Sequence, residues 1–83
     1  MKGDYLVLFE QTGNPTINVI VKSANRLGFV YSTGGMSKAQ YKERMKAIIE
    51  AIAFVDIPNN YKSEVALTLI RARDKTIGLV EAQ

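Results

Sequence analysis

The sequence contains no cysteine, no histidine and no tryptophan, and the first two absences remove whole classes of chemistry. Without cysteine there is no disulfide framework, no thiolate nucleophile and no zinc knuckle. Without histidine the commonest general base and the commonest metal ligand are gone. Long apolar runs are missing too. Tyr5 to Phe9 is too short for the apolar part of a signal peptide, and no later stretch approaches a membrane span. These absences lead to the expectation of a soluble cytoplasmic protein that is not an enzyme and uses no cofactor or metal.

What is present fits a single small domain over residues 1–83. That length is near the lower end of what folds on one core. With 47% apolar and 23% charged residues the chain belongs with globular rather than disordered sequences. So small a core favours help from outside, and a homodimer or docking on a larger protein partner is expected. Eleven Lys and Arg against eight Asp and Glu give a net charge of +3. Such a mildly basic balance serves nucleic acid only where the charge is gathered on one face.

The first third reads as strands and turns. Tyr5-Leu6-Val7-Leu8-Phe9 is apolar throughout, as in a strand covered on both faces. Gln11 to Pro15 is rich in turn formers. Thr16 to Lys22 alternates, with Ile17, Val19 and Val21 on one side and Ile20 as the exception, which predicts a half-buried strand. Leu27, Phe29 and Tyr31 share a face of a third strand, ended by Gly34-Gly35. A helix follows from about Lys38 to Phe54. Ser37 and Gln40 form a capping box, and Tyr41, Met45, Ile48, Ile49 and Ile52 define one apolar face. The helix should stop before Pro58. Residues 64–73 read either as a strand or as a helix capped by Ser63. The β-branched Val65, Thr68 and Ile70 favour a strand, with Asp74-Lys75 turning into a fifth strand over 76–80. The expected fold is therefore α+β: an antiparallel sheet of four to five strands in the order β-β-β-α-β-β, with one long amphipathic helix packed on one face.

Chemistry-bearing residues are few. Glu43 and Glu50 sit two turns apart on the helix, too far for both to ligate one small ion directly. Both fit ordinary solvated helix charges, with Glu50 pairing Lys46. Gly34-Gly35 before a capped helix suggests a phosphate cradle, but the spacing of a true phosphate loop is absent and a plain turn suffices. Lys38, Lys42 and Lys46 form a stripe, and Arg71, Arg73 and Lys75 would share a side if extended. These six are the candidate nucleic-acid contacts, against the ordinary reading of solubilising surface. Tyr5, Phe9, Phe29 and Tyr31 are placed in the core. Tyr61 with Lys62, in an expected loop, is the candidate partner contact.

Tyr5-Leu6-Val7-Leu8-Phe9-Glu10, Leu27-Gly28, Gly35-Met36-Ser37, and then Glu43 and Ile48-Ile49 in the helix, are similar to the pattern of the HicB-like antitoxin domain, a small ribonuclease H-like α+β family. The resemblance covers residues 5 to about 54. Met36 stands where that family has an aspartate, and its proline-aspartate-leucine-proline stretch is missing. Gln11, Lys46 and Ile70 lie near where a true ribonuclease H holds its acidic metal ligands. The resemblance thus implies a non-catalytic module for a protein or RNA partner. The resulting expectation is an antitoxin-like or mobile-element inhibitor that docks on a protein and inhibits or sequesters it. The alternatives are a small basic nucleic-acid-binding domain and, last, a carboxylate-metal nuclease built on Glu10 and Glu50.

Overall fold

The computed structural model describes residues 15–83, which form α1 (Pro15–Ser32), α2 (Lys38–Ala51), a 3-10 turn (Ile52–Phe54) and α3 (Asn59–Glu81). Among the described residues there is no strand, so the expected α+β fold with its four- to five-stranded sheet is corrected to a helical one. The same finding corrects the fold implied by the resemblance over residues 15–54. The strand expected at Tyr5 to Phe9 lies outside the described residues.

Pro15 opens α1 at the position where its missing N–H costs nothing and its fixed φ suits a helix. Ile17, Val21, Ala24, Gly28 and Tyr31 then recur at i, i+4, i+7, i+11 and i+14, and all are buried. The alternation that predicted a strand over Thr16 to Lys22 is the opening of this pattern. Its middle member, Val19, is exposed, and the exception, Ile20, is packed against the core. β-branched residues cost a helix a few tenths of a kcal/mol each, whereas burying an Ile or Val side chain contributes about 1.5–3 kcal/mol. Packing therefore wins over local propensity. The third expected strand, through Leu27, Phe29 and Tyr31, is the end of the same helix.

The chain leaves α1 through a Schellman motif. The Gly35 N–H donates to the Val30 carbonyl at 2.8 Å and the Gly34 N–H to that of Tyr31 at 3.1 Å. Gly34 has φ of 87°, a conformation that glycine adopts without a Cβ penalty. Gly34-Gly35 is thus a turn, as read, but it joins helix to helix. Its two amides are spent on α1 carbonyls rather than presented to a phosphate.

The expected capping box is present. The Gln40 N–H donates to Ser37 Oγ at 3.2 Å, and the Ser37 N–H donates to Gln40 Oε1 at 3.0 Å. Tyr41 and Met45 are buried on α2, and Ile52 is buried just beyond it, where the last turn tightens to 3-10 geometry. Pro58 follows. It ends one element and also begins the next, since Asn59 is the first residue of α3 and Pro58 its N-cap. Residues 64–73 are helical, which settles that alternative against the strand. Ser63 lies inside α3 rather than at its start, and the turn at Asp74-Lys75 and the fifth strand over 76–80 are also helix. Val65, Leu69 and Ala72, at i, i+4 and i+7, supply the buried face.

Short connections and end contacts fix an up-down-up arrangement. Lys38 Nζ, at the start of α2, meets Glu81 Oε2, at the end of α3, at 2.6 Å. Lys62 Nζ, near the start of α3, donates to the Ala53 carbonyl at 2.7 Å. Between α1 and α2 the buried rings of Tyr31 and Tyr41 stack, with centroids 4.6 Å apart and planes 6° from parallel. Ile17, Val21, Met45, Ile52, Val65 and Leu69 complete the centre of the core. No helix among the described residues is long and apolar enough to cross a membrane.

Candidate functional site

The C-terminal half of α1 and that of α3 do not close on each other. They leave a groove of about 730 Å³ lined by Lys22, Arg26, Phe29 and Val30 on one side and by Lys75, Leu79 and Val80 on the other. Two of these residues are large apolar side chains facing water: Phe29 is 64% exposed and Leu79 54%. Gly28 and Thr76 also line the groove, so a small side chain on each helix borders it. A shallower groove of about 320 Å³ runs between α1 and α2 past Arg26, Leu27, Arg44 and Ile48. Arg26 thus borders both.

The helix turns explain this placement. On α1, Lys22, Arg26 and Phe29 follow at i, i+4 and i+7, a stripe turned away from the buried Ile17, Val21, Ala24 and Tyr31. On α3, Lys75 and Leu79 are spaced i, i+4 and line the groove beside Thr76 and Val80. Asn18 precedes Lys22 by one turn on the same stripe, and its side-chain oxygen is buried with no hydrogen-bond partner.

The cations differ sharply in how they are compensated. Lys38 is held by Glu81. The hydrogen bond to that carboxylate and its charge raise the Lys38 pKa above the ordinary 10.5. Arg73 Nη2 pairs with Asp74 Oδ1 at 2.9 Å. Among the described residues these are the two ion pairs, so Lys22, Arg26, Arg71 and Lys75 face no carboxylate at that range.

The residues singled out from sequence are therefore dispersed. Lys38, Lys42 and Lys46 are all exposed on α2, as a stripe at i+4 spacing should be, but none lines the α1–α3 groove. Lys38 is engaged at the end of α3, and Lys46 makes no ion pair with Glu50. Arg71, Arg73 and Lys75 do not share a side, because a helix rather than a strand carries them. Arg71 and Lys75 are one turn apart, while Arg73 lies two residues from each and so points roughly opposite. Only Lys75 of these three lines the groove. Tyr61 is not in a loop but in the first turn of α3, half-buried against the core. Lys62 is committed to the carbonyl of Ala53, the middle residue of the 3-10 turn.

Phe29, expected in the core, is the largest exposed side chain of the groove, and Lys22, Arg26 and Leu79 were not singled out at all. The signal for Lys22, Arg26 and Phe29 is their i, i+4, i+7 spacing on α1, and for Leu79 its i, i+4 spacing from Lys75 on α3; an extended reading of both stretches hides it. Of the carboxylate pair Glu10 and Glu50, Glu50 is exposed on α2 and Glu10 lies outside the described residues. No group of three Asp or Glu residues that could hold a metal ion occurs among the described residues. Compared with family models, curated proteins and solved structures, the chain shows no significant match to any.

Proposed function

We propose that the chain is a non-enzymatic binding module that docks on a protein partner, which it inhibits or sequesters, through the groove between α1 and α3. The observation that carries this reading is the exposure of Phe29 and Leu79 in one groove between two helices. Two helices flanking an apolar cleft are the usual receptor for a helix laid into a groove. Aromatic and aliphatic anchors of this kind supply most of the binding energy where they become fully covered. Covering each would contribute at most about 1.5–3 kcal/mol, enough for two anchors to matter without making the free chain insoluble.

The test is a photo-cross-linking residue placed at Phe29 in the full chain and expressed in the source cells, with the same residue at Glu50 as a control. A polypeptide adduct at position 29, absent at position 50 and lost on Leu79→Asp, is the expected outcome. An adduct that nuclease removes would favour the nucleic-acid reading instead. Equal adducts at both positions would show general stickiness and sink the proposal.

A further inference from the structure

Resting on the docking reading above, we infer that the occupant of the α1–α3 groove is an acidic amphipathic helix of the partner. Among the described residues the charged side chains bordering the groove are Lys22, Arg26 and Lys75, with no Asp or Glu beside them. α1 carries no acidic residue anywhere along its length. All three cations lack an ion pair among the described residues, as do Lys42, Arg44, Lys46 and Arg71, and what sets the groove apart is that its three surround exposed apolar side chains. A purely apolar partner would cover the groove and strip water from these cations with nothing to replace it, a cost that an opposite charge removes. Carboxylates flanking an apolar stripe answer both features at once, the stripe meeting Phe29 and Leu79 and the acids meeting the basic border.

The same charges argue against a second copy of the chain, and the apolar lining argues against a nucleic-acid backbone. A second copy seated groove to groove would bring two sets of Lys22, Arg26 and Lys75 together, and like charges so placed cost an interface several kcal/mol. A nucleic-acid backbone would find Phe29, Val30, Leu79 and Val80 where it needs donors, while Lys42 and Lys46 do not line the groove. Size agrees with a helix. The α1 residues from Lys22 to Ser32 that border the groove span about 15 Å at 1.5 Å per residue, roughly three helical turns.

The test uses the full chain and two labelled helical peptides of about 18 residues that share one leucine stripe and differ only in flanking Glu or Lys. Anisotropy titrations at low and physiological salt read the affinities, with single- and double-stranded DNA and RNA as further probes. The acidic peptide should bind about tenfold or more tightly than the basic one. The double variant Lys22→Glu, Lys75→Glu should reverse that preference, and Phe29→Asp should abolish binding of both. Circular dichroism confirms that these exposed substitutions leave the helices intact. Equal affinity for the two peptides, lost on Phe29→Asp, would overturn the acidic partner and leave groove docking standing. Binding of neither peptide, or of nucleic acid in their place with loss in the Lys22 and Lys75 variant, would overturn both.

Discussion

The last turns of α1 form two seams that end differently. Toward α2, Tyr31 stacks on Tyr41 and both rings are withdrawn from water. Toward α3, Phe29, only two residues away, stands in the wall of an open groove with Leu79 also exposed. Both seams are made by aromatic residues of one helix, so aromaticity alone does not decide what is core. The deciding quantity is whether a side chain of matching size comes from the opposite helix. On α2 that chain is Tyr41. On α3 the groove meets Thr76 and Val80, which are too small to cover Phe29.

The largest expected effect breaks the closed seam. Tyr41→Ala removes a ring that is 1% exposed and should cost about 3–5 kcal/mol, the range for deleting a buried aromatic side chain. Phe29→Ala, on the open seam, should change stability by no more than about 0.5 kcal/mol. Urea unfolding of the two variants compares them directly. Similar losses in both would mean that the α1–α3 groove is covered in the folded protein, and the docking surface would disappear with it.

Two glycines sharpen the same contrast at smaller amplitude. Gly34 ends α1 at a positive φ, where an alanine should cost about 1–2 kcal/mol. Gly78 lies on α3, exposed, with nothing within 4 Å of an added Cβ. Gly78→Ala should therefore stabilise α3 by up to about 1 kcal/mol. Thermal unfolding should move down for the first variant and up for the second. A loss of stability at Gly78 would show that something packs over that face of α3.

Legibility in the sequence followed the strength of local signals. α2 could be read because Ser37 and Gln40 mark its start and five apolar residues mark its face, two kinds of evidence that agree. α1 could not, because Ile17, Val19 and Val21 fit a period of two while Ile17, Val21, Ala24 and Tyr31 fit a period of 3.6. The first pattern was the shorter one, and β-branching supported it. On α3 the same β-branched bias outweighed the Val65, Leu69 and Ala72 spacing. Pro58 was read as a stop, although proline beside a helix start is equally at home. The site suffered in consequence. Arg71, Arg73 and Lys75 share a side only on a strand, and Phe29 looks like core only if Leu27 and Tyr31 flank it on one face of a sheet. Which charges stay unpaired depends on how the helices meet, and no local pattern carries that.

The smallest effect concerns the place where α2 and α3 close their charges on each other. Lys38 is the first residue of α2 and Glu81 the last of α3, so each sits at the helix end whose dipole disfavours its charge. Their pairing offsets both. Because the hydrogen bond and charge of Glu81 raise the Lys38 pKa above 10.5, the folded state holds that proton more tightly than the unfolded chain does. The stabilisation is fully present below 10.5 and is lost as pH rises through the raised folded value. Salt should weaken it, since both side chains are about half exposed. Urea midpoints taken on either side of that window should fall more for the parent chain than for Lys38→Met, and the difference should shrink at high salt. The same alkaline loss in both would show that Lys38 and Glu81 stay solvated as separate ions, and that the end of α3 is held to α2 by its apolar contacts alone.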